Sequence, residues 1–544
     1  MASSPVCPSA SVRLAATSTP LSAAAFRRLL QHHPDRDLVR FITETITHGA
    51  SIAFNGPRHN RFTKNADSAR IHTDVLRNSI AKEVEQRHAR GPFDSKPFQN
   101  FTVSSLGVRP KKDGGHRIIL DLSQPRGDSI NDYIDASQMP LEYCSVDDAI
   151  RMLTDSGVGA LMGKIDIKSA YRLIPVREQD WPLLGYQIDG KFYHDVVLPF
   201  GCRSSPFLFS RFADAIHWIV GNKTGRDTYL HYVDDFFFVG TAGSKECSQL
   251  MVAMRDTCGE LEVPLSDEKE DGPAPQLTLL GVLLDSVRQN NQLAGGQTAR
   301  DHFPPPGVGS EGNFSKRELQ SLIGSLQFAS KCIPSSRLFT RRLTRSLPSR
   351  SSLAAVSENM RKYLKWWQHF PPSWNGTASF LEPNWSHPST LHLHTDASGT
   401  IGLGAYFAGD WLNSRWPEWI QTLHPPIEYL EMIPILLALI VWGQKLRRKR
   451  IIFHCDNEGA AFAWENLGSS NDGVLDLMRR MTTEAACGNF ALTIKHIRGV
   501  DNGIADALSR FQEPRFRKIA PPAKRNPVPL PGGFWEELWD SYIT

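Results

Sequence analysis

"LHYVDDFFFVG", residues 230–240, decides how this chain is read. Two adjacent aspartates, Asp234 and Asp235, stand in a run that is otherwise almost wholly apolar and aromatic. Phe236, Phe237, Phe238 and Val239 predict a strand entering a core. Burying one unpaired carboxylate is costly, and two neighbours also repel each other. Cations would make the pair tolerable, and a third acid is then needed nearby. "GKIDIKSAYRLIPV" supplies one, because Asp166 lies in a second apolar, strand-like run. Three carboxylates at adjacent strand ends can hold two hard divalent cations, which activate a 3′-hydroxyl and stabilise a departing pyrophosphate. One aspartate in a strand is more often a satisfied structural residue. The combination, with glycine and proline signals between its parts, points to chemistry.

The whole chain sets bounds on this reading. Its 544 residues exceed a single core, and roughly three or four domains are expected. With 41% hydrophobic and 22% charged residues the composition is that of a globular protein, and a net charge of +4 does not by itself establish nucleic-acid binding. The longest apolar run, "MIPILLALIVWG", falls short of the roughly 20 residues that span a bilayer. It ends in "QKLRRKR", which predicts a buried helix and no membrane partner. Eight scattered cysteines without a CxxC pair fit a reducing, intracellular compartment, cytoplasmic or nuclear, and argue against a zinc ribbon. Residues 1–34 contain no acid and are rich in Ser and Ala, which predicts a disordered leader rather than a transit peptide.

A second group of acids recurs downstream. "LHLHTDASGTIGLGAYF" puts Asp396 at a strand end before a Gly-rich turn. "IEYLEMIPILLALIVWG" predicts a helix whose Pro434 belongs in the first turn, so that the helix begins near Glu431 and displays that acid at its start. "RRKRIIFHCDNEGAAFAW" ends a strand at Asp456, and "LTIKHIRGVDNGIADALSR" runs from a strand through a loop bearing His496 to Asp506 at a helix start. Four acids so placed suggest a second two-metal site with hydrolytic chemistry. Elsewhere, Ser315 and Glu318 predict a capping box, with Leu319, Leu322, Ile323 and Leu326 on one helix face. "TDSGVG", at 154–159, has the letters of an aspartic protease motif but no protease-sized region around it.

"KIDIKSAY", "LPFGCRSSPFLF" and "HYVDD", in that order and spacing, resemble the palm motifs of reverse transcriptases. The second group resembles, in its order, the ribonuclease H domain joined to many of them. The resemblance implies an α/β (α+β) multidomain chain: a right-hand polymerase of fingers, palm and thumb, followed by a ribonuclease H-like domain. It implies Asp166, Asp234 and Asp235 as a metal-binding catalytic triad, and Asp396, Glu431, Asp456 and Asp506 as a metal-binding quartet assisted by His496. Lys111 and Arg117 match residues that grip the triphosphate, and Tyr171 matches an aromatic gate against a ribose 2′-hydroxyl. Phe200 and Gly201 match the floor of the nucleotide pocket, and Lys269 the lysine that protonates leaving pyrophosphate. "LTLLGVLLD" resembles the primer-grip hairpin, with Gly281 allowing close approach.

At finer grain, "HPDRDLVRF", "GPFDSKPFQNFTVSSLGVRPKK", "ELQSLIGSLQFASKCIP", "FHCDNEGAAFAW" and "HIRGVDNGIADALSRFQ" resemble the reverse transcriptase–ribonuclease H region of DIRS-type (tyrosine-recombinase) retrotransposons, over roughly residues 30–512. The chain departs from the family where a charged helix usually follows the primer grip and "GGQTARDHFPPPGVGSEGN" stands instead. The implied partition is a disordered leader at 1–34 and a helical extension at 35–92. Fingers and palm follow at 93–290, a helical thumb and connection with Pro-rich loops at 291–385, a ribonuclease H-like domain at 386–512 and a flexible Pro-rich tail at 513–544. The implied activity is RNA- and DNA-directed DNA synthesis plus cleavage of RNA in an RNA/DNA hybrid, with two Mg²⁺ or Mn²⁺ ions per active site. RNA template, DNA primer, RNA/DNA hybrid and dNTPs are the implied partners, with other proteins of the same element, such as a recombinase, beside them. A catalytically inactive scaffold is the alternative from another class, and seven acids at metal positions weigh against it. A DDE-type transposase leaves the palm motifs unexplained.

Overall fold

The computed structural model describes residues 19–110, 114–294, 313–333, 335–348, 353–374, 376–386 and 388–543. The fold is mixed α/β and divides into two compact units, one from Met1–Ser145 with Leu161–Ala274, the other from Val146–Ala160 with Pro275–Thr544.

The first unit is organised by a four-stranded antiparallel sheet. Its strands are β1 (Leu161–Asp166), β2 (Tyr229–Tyr232), β3 (Asp235–Gly240) and β4 (Asp271–Ala274), in the order β4-β1-β3-β2. Phe236, Phe237, Phe238 and Val239 are all fully buried, so β3 is covered on both faces and has no polar alternation. The helices Ser205–Thr224 and Glu246–Leu261 pack on the face that carries Phe236 and Phe238, and Gly163 in β1 leaves the space that Met251 fills. Strands Ser105–Pro110 and His116–Asp121 pair, and their connection includes 111–113, outside the described residues.

Where it is described, the expected leader is structured. Ser22 caps the helix Ala23–Leu29, Phe26 and Leu30 are fully buried, and Ser22 N–H donates to the Leu261 carbonyl at 3.1 Å. The Ser/Ala composition masks an apolar pair one helical turn apart, and that pair docks the segment.

In the second unit, strands Gln276–Leu279 and Val282–Asp285 form the expected hairpin, and both turn residues, Leu280 and Gly281, have left-handed backbones. The Ser315–Glu318 capping box is present. Helices α1 (Arg337–Arg345) and α2 (Glu358–Ser373) follow. Strands β5 (Leu393–Ala397), β6 (Gly402–Phe407) and β7 (Asp410–Arg415) then form an antiparallel sheet. After helix α3 (Ile427–Trp442), strands β8 (Arg450–Cys455) and β9 (Ala491–His496) pair in parallel, and helix α4 (Gly503–Ser509) packs on β6.

Two expectations fail in this unit. Helix α3 begins at Ile427, behind Pro425 and Pro426, and runs through Pro434. A proline there removes the hydrogen bond to the Leu430 carbonyl. The helix is buried on nearly every face, and that packing outweighs the lost bond. The continuous helical stretch Ile427–Leu446 has 20 residues, enough in length and apolarity to cross a bilayer, but 67% of its apolar window is buried within the protein. The tail is also ordered. Phe516, Phe534 and Leu538 are buried, Val528 N–H donates to the Trp411 carbonyl at 2.7 Å, and helix α5 (Phe534–Ile543) stacks Trp535 and Trp539 against Trp416 and Trp419. Proline-rich composition concealed an aromatic anchor at every helical turn of the tail's end.

Candidate active sites

The first carboxylate cluster is fixed by strand register. Asp235 opens β3 directly opposite Asp166, the last residue of β1, and also pairs with Tyr232 at the end of β2. Val233 and Asp234 make the two-residue turn between β2 and β3. Val233 holds φ of +57°, an outlier for a β-branched side chain. Ile167 N–H donates to the Asp234 carbonyl at 3.0 Å and Ser266 N–H to the Asp166 carbonyl at 2.9 Å, so backbone bonds fix the tips of both strands.

The three acids crowd one another. Burial pushes the Asp235 carboxyl up to about 6, and the charge of Asp166 adds to the shift. Asp234 is raised for the same two reasons. Lys269 answers part of this charge, donating from Nζ to Asp166 Oδ1 at 2.8 Å. Asp166 is 3% exposed, so the lysine meets a carboxylate that water hardly reaches.

Four other predicted residues gather around the triad. The Tyr171 ring lies 5.3 Å from that of Phe200, and Arg117 stacks its guanidinium 5.3 Å from the same Phe200 ring. Burial lifts the Tyr171 hydroxyl to about 12, with Tyr143 and Asp234 contributing. Gly201 has φ of +114°, and a side chain there would strike the Leu120 carbonyl. Lys111 lies outside the described residues. Sequence reasoning missed Asn131, whose Nδ2 donates to the Gly201 carbonyl at 2.8 Å while its Oδ1 accepts from Arg203 N–H at 2.8 Å. No local signal marked it.

The second cluster is assembled by packing. Asp396 in β5 sits opposite Gly404 in β6, and a side chain at Gly404 would strike Leu508 and Ser509 of α4. That absence lets α4 settle on the sheet, with Ser509 Oγ donating to Asp396 Oδ2 at 2.5 Å and Asn502 Nδ2 to the Thr395 carbonyl at 2.8 Å. Burial raises Asp396 to about 6, with Asp456 and Asp506 adding to the shift. Buried Glu431 is raised well above the carboxylate range by desolvation, then by Asp396 and Asp456. Donor atoms of Glu431, Cys455 and Asp456 lie within 4.8 Å of one another. Cys455 went unremarked in the sequence, although its place before Asp456 marks it; its thiol is 3.8 Å from Glu431 Oε2.

Asp506 stands apart electrostatically. Burial works to raise it, but Arg510 Nε and Arg515 Nη1, each 2.5 Å from a carboxylate oxygen, hold it below its ordinary value. His496 is the last residue of β9 rather than part of the loop; it is exposed and pairs across the ladder with Cys455, next to Asp456.

The carboxylates of both clusters are hard oxygen donors suited to Mg²⁺ or Mn²⁺, and burial, with repulsion between neighbouring acids, raises Asp235 and Asp396 to about 6.

Residues 110–284 match the family model "Reverse transcriptase (RNA-dependent DNA polymerase)". The chain is 22% identical over 380 residues to the enzymatic polyprotein of cauliflower mosaic virus (strain Strasbourg), covering 66% of this chain and 50% of that protein. It is 22% identical over 428 residues to the transposon Tf2-3 polyprotein of Schizosaccharomyces pombe, covering 74% of this chain and 28% of that one. The chain thus spans half or less of these relatives. Among solved structures, a foamy viral protease–reverse transcriptase in complex with double-stranded DNA aligns with a TM-score of 0.47 at 14% identity, over 87% of this chain and 81% of that one.

Proposed function

We propose that this protein is an RNA- and DNA-directed DNA polymerase with ribonuclease H activity, drawn from the reverse transcriptase–ribonuclease H region of a DIRS-type retrotransposon. The observation that carries the polymerase reading is the facing pair Asp166 and Asp235, with Asp234 in the adjoining turn, inside the family-matched segment. Asp166, Asp234 and Asp235 would hold two Mg²⁺ or Mn²⁺ ions, which when bound supply activation of a primer 3′-hydroxyl and neutralisation of phosphate charge. The protein's own groups divide the remaining tasks. Arg117, with Lys111, binds the triphosphate of an incoming dNTP. Tyr171 closes the pocket floor against a 2′-hydroxyl, and Lys269 gives its proton to pyrophosphate. In the second cluster Asp396, Glu431, Asp456 and Asp506 would hold the ions for hydrolysis of RNA in a hybrid, with His496 moving a proton at the exposed edge. Template RNA, primer DNA, hybrid and dNTPs are the partners, beside a recombinase of the same element, inside the cell in cytoplasm or nucleus.

A second reading, a catalytically inactive scaffold, gains from one observation only: two arginines already occupy Asp506. The test is primer extension on an RNA template with dNTPs and Mg²⁺ or Mn²⁺, beside the Asp234→Asn/Asp235→Asn variant. Extension that vanishes in the variant supports the polymerase. Folded protein that binds template-primer and extends nothing makes the scaffold the better reading.

A further inference from the structure

Helix α1 has the sequence "RLFTRRLTR", with four arginines and no acid. Arg342 and Arg345 converge near its C-terminal end. A Cβ built on Gly468 would stand 3.0 Å from Arg342 Nη1 and 2.6 Å from Arg345 Nη1, so both guanidinium tips border one point. Among the described residues neither arginine has a carboxylate partner; Arg345 Nη2 donates to the Asn466 carbonyl at 3.2 Å. Two like charges held together in this way call for an anion between them.

The cavity that they line has a volume of about 170 Å³. The start of α2 also lines it: Ser357 is the N-cap, and Asn359 and Met360 belong to the first turn of this 16-residue helix. Backbone N–H groups and the helix dipole favour negative charge there. Tyr363, one turn on, also lines the cavity. It is 1% exposed, and its hydroxyl has no hydrogen-bond partner. Such a group is rare, because an unmade buried hydrogen bond is costly. Arg479 stacks 5.2 Å from the Tyr363 ring centre, with Nη2 held by Asp476 at 3.0 Å and Nη1 left without a partner. The nearby acids are engaged elsewhere: Asp472 accepts from Asn359 Nδ2 at 2.9 Å, and Glu358 lies 3.8 Å from Arg361.

We infer that this pocket binds a phosphate group. Arg342 and Arg345 grip its oxygens, and the Tyr363 hydroxyl donates to one of them. The volume is below the roughly 300–1,000 Å³ of sites that enclose whole small-molecule ligands, which fits a phosphate group and not an entire nucleotide. None of these residues belongs to either carboxylate cluster. The phosphate comes either from a nucleic-acid backbone or from the free ion.

The experiment uses the full chain in chloride buffer with EDTA, which removes divalent ions from the carboxylate clusters. Orthophosphate is titrated by calorimetry, and a labelled RNA/DNA hybrid by fluorescence anisotropy over a range of salt. The variants are Tyr363→Phe and Arg342→Gln/Arg345→Gln, with Tm measured for each. Tyr363→Phe keeps or raises Tm and weakens phosphate binding about tenfold, the loss of one hydrogen bond to a charged group. The double variant weakens it further. If the source is the free ion, these losses appear with orthophosphate and hybrid affinity is unchanged. If it is a nucleic-acid backbone, they appear with the hybrid, and the double variant lowers the salt slope by about 1–2. Equal affinity of wild type and both folded variants for both ligands overturns the inference.

Discussion

The two carboxylate clusters meet the same electrostatic problem on different scaffolds. In the first, hydrogen-bonded strands set Asp166 against Asp235, a two-residue turn places Asp234, and Lys269 pairs with Asp166. In the second, acids from β5, α3, the segment after β8 and α4 meet only because helices pack onto sheets, and two arginines are paired with one of them, Asp506. Register sets the first cluster through one strand ladder. The second depends on distant contacts such as that of Gly404 with α4, so its geometry is more easily disturbed from outside.

The comparison breaks if the two clusters are not chemically separate. Asp234→Asn/Asp235→Asn is expected to lower primer extension by about 10³-fold or more and leave hybrid cleavage within about twofold, because removing metal ligands forfeits several kcal/mol of transition-state stabilisation. Asp396→Asn is expected to do the reverse. Gel assays of both activities on each variant decide it, and loss of both activities in either folded variant would sink the separation.

Counter-charge is the next point of difference. Lys269→Gln removes both the partner of Asp166 and the proposed proton donor, and extension should fall by about 10²-fold. The fall should ease with a substrate whose leaving group needs no proton. An unchanged rate would reduce Lys269 to a surface lysine.

In the metal-free protein both clusters should show the same pH signature. The Asp235 and Asp396 carboxyls sit at about 6 when folded, above their ordinary 3.8, so the folded state holds those protons more tightly than the unfolded chain. The contribution of these two carboxyls therefore falls as pH rises from about 4 to about 6 and stays low above that, while buried His194 and His217, both lowered to about 4, contribute in the opposite direction over the same range. Asp396→Asn should raise the metal-free Tm at pH 7, with a gain of about 1–3 kcal/mol, and added Mg²⁺ should erase the advantage. Thermal unfolding of wild type and Asp396→Asn in EDTA across that range tests it; an advantage of the variant that fails to grow from pH 4 to 6 contradicts the argument.

The arginines on Asp506 set a smaller effect. Arg515→Ala frees one carboxylate oxygen, so Mg²⁺ or Mn²⁺ should bind the second cluster about twofold to fivefold more tightly, the worth of one exposed ion pair. Extension should not change. Calorimetric metal titrations of wild type and variant make the comparison.

What could be read in the sequence follows this contrast. Asp166, Asp234 and Asp235 were legible because a charge inside an apolar strand is a local anomaly, and the mixed α/β architecture followed from the motifs around them. The second group was legible as acids at element ends, but α3 was placed wrongly, because a proline rule for exposed helices does not hold where burial dominates. Asn131, which ties the Gly201 loop, carried no signal, since its partners are far along the chain. The tail's aromatic end was legible as able to dock, but not where it docks. Trp535 and Trp539 are informative only once Trp416 and Trp419 are known to face them.

Val233 sharpens the contrast at the smallest scale. A β-branched residue at φ of +57° stores about 1–3 kcal/mol of strain, and none of the second cluster's four acids has a left-handed backbone. Val233→Gly relieves that strain. It also loosens the unfolded chain, at a cost of about 0.5–1 kcal/mol, and removes an apolar side chain packed against the core. These terms nearly cancel, so Tm should move by no more than a few degrees. Extension should nevertheless fall several-fold, because the turn that aims Asp234 gains freedom that the Ile167 hydrogen bond alone does not restrain. Equal extension rates for Val233→Gly and wild type would mean that register positions the first cluster without help from its strained turn, and the two scaffolds would then differ only in where their acids come from.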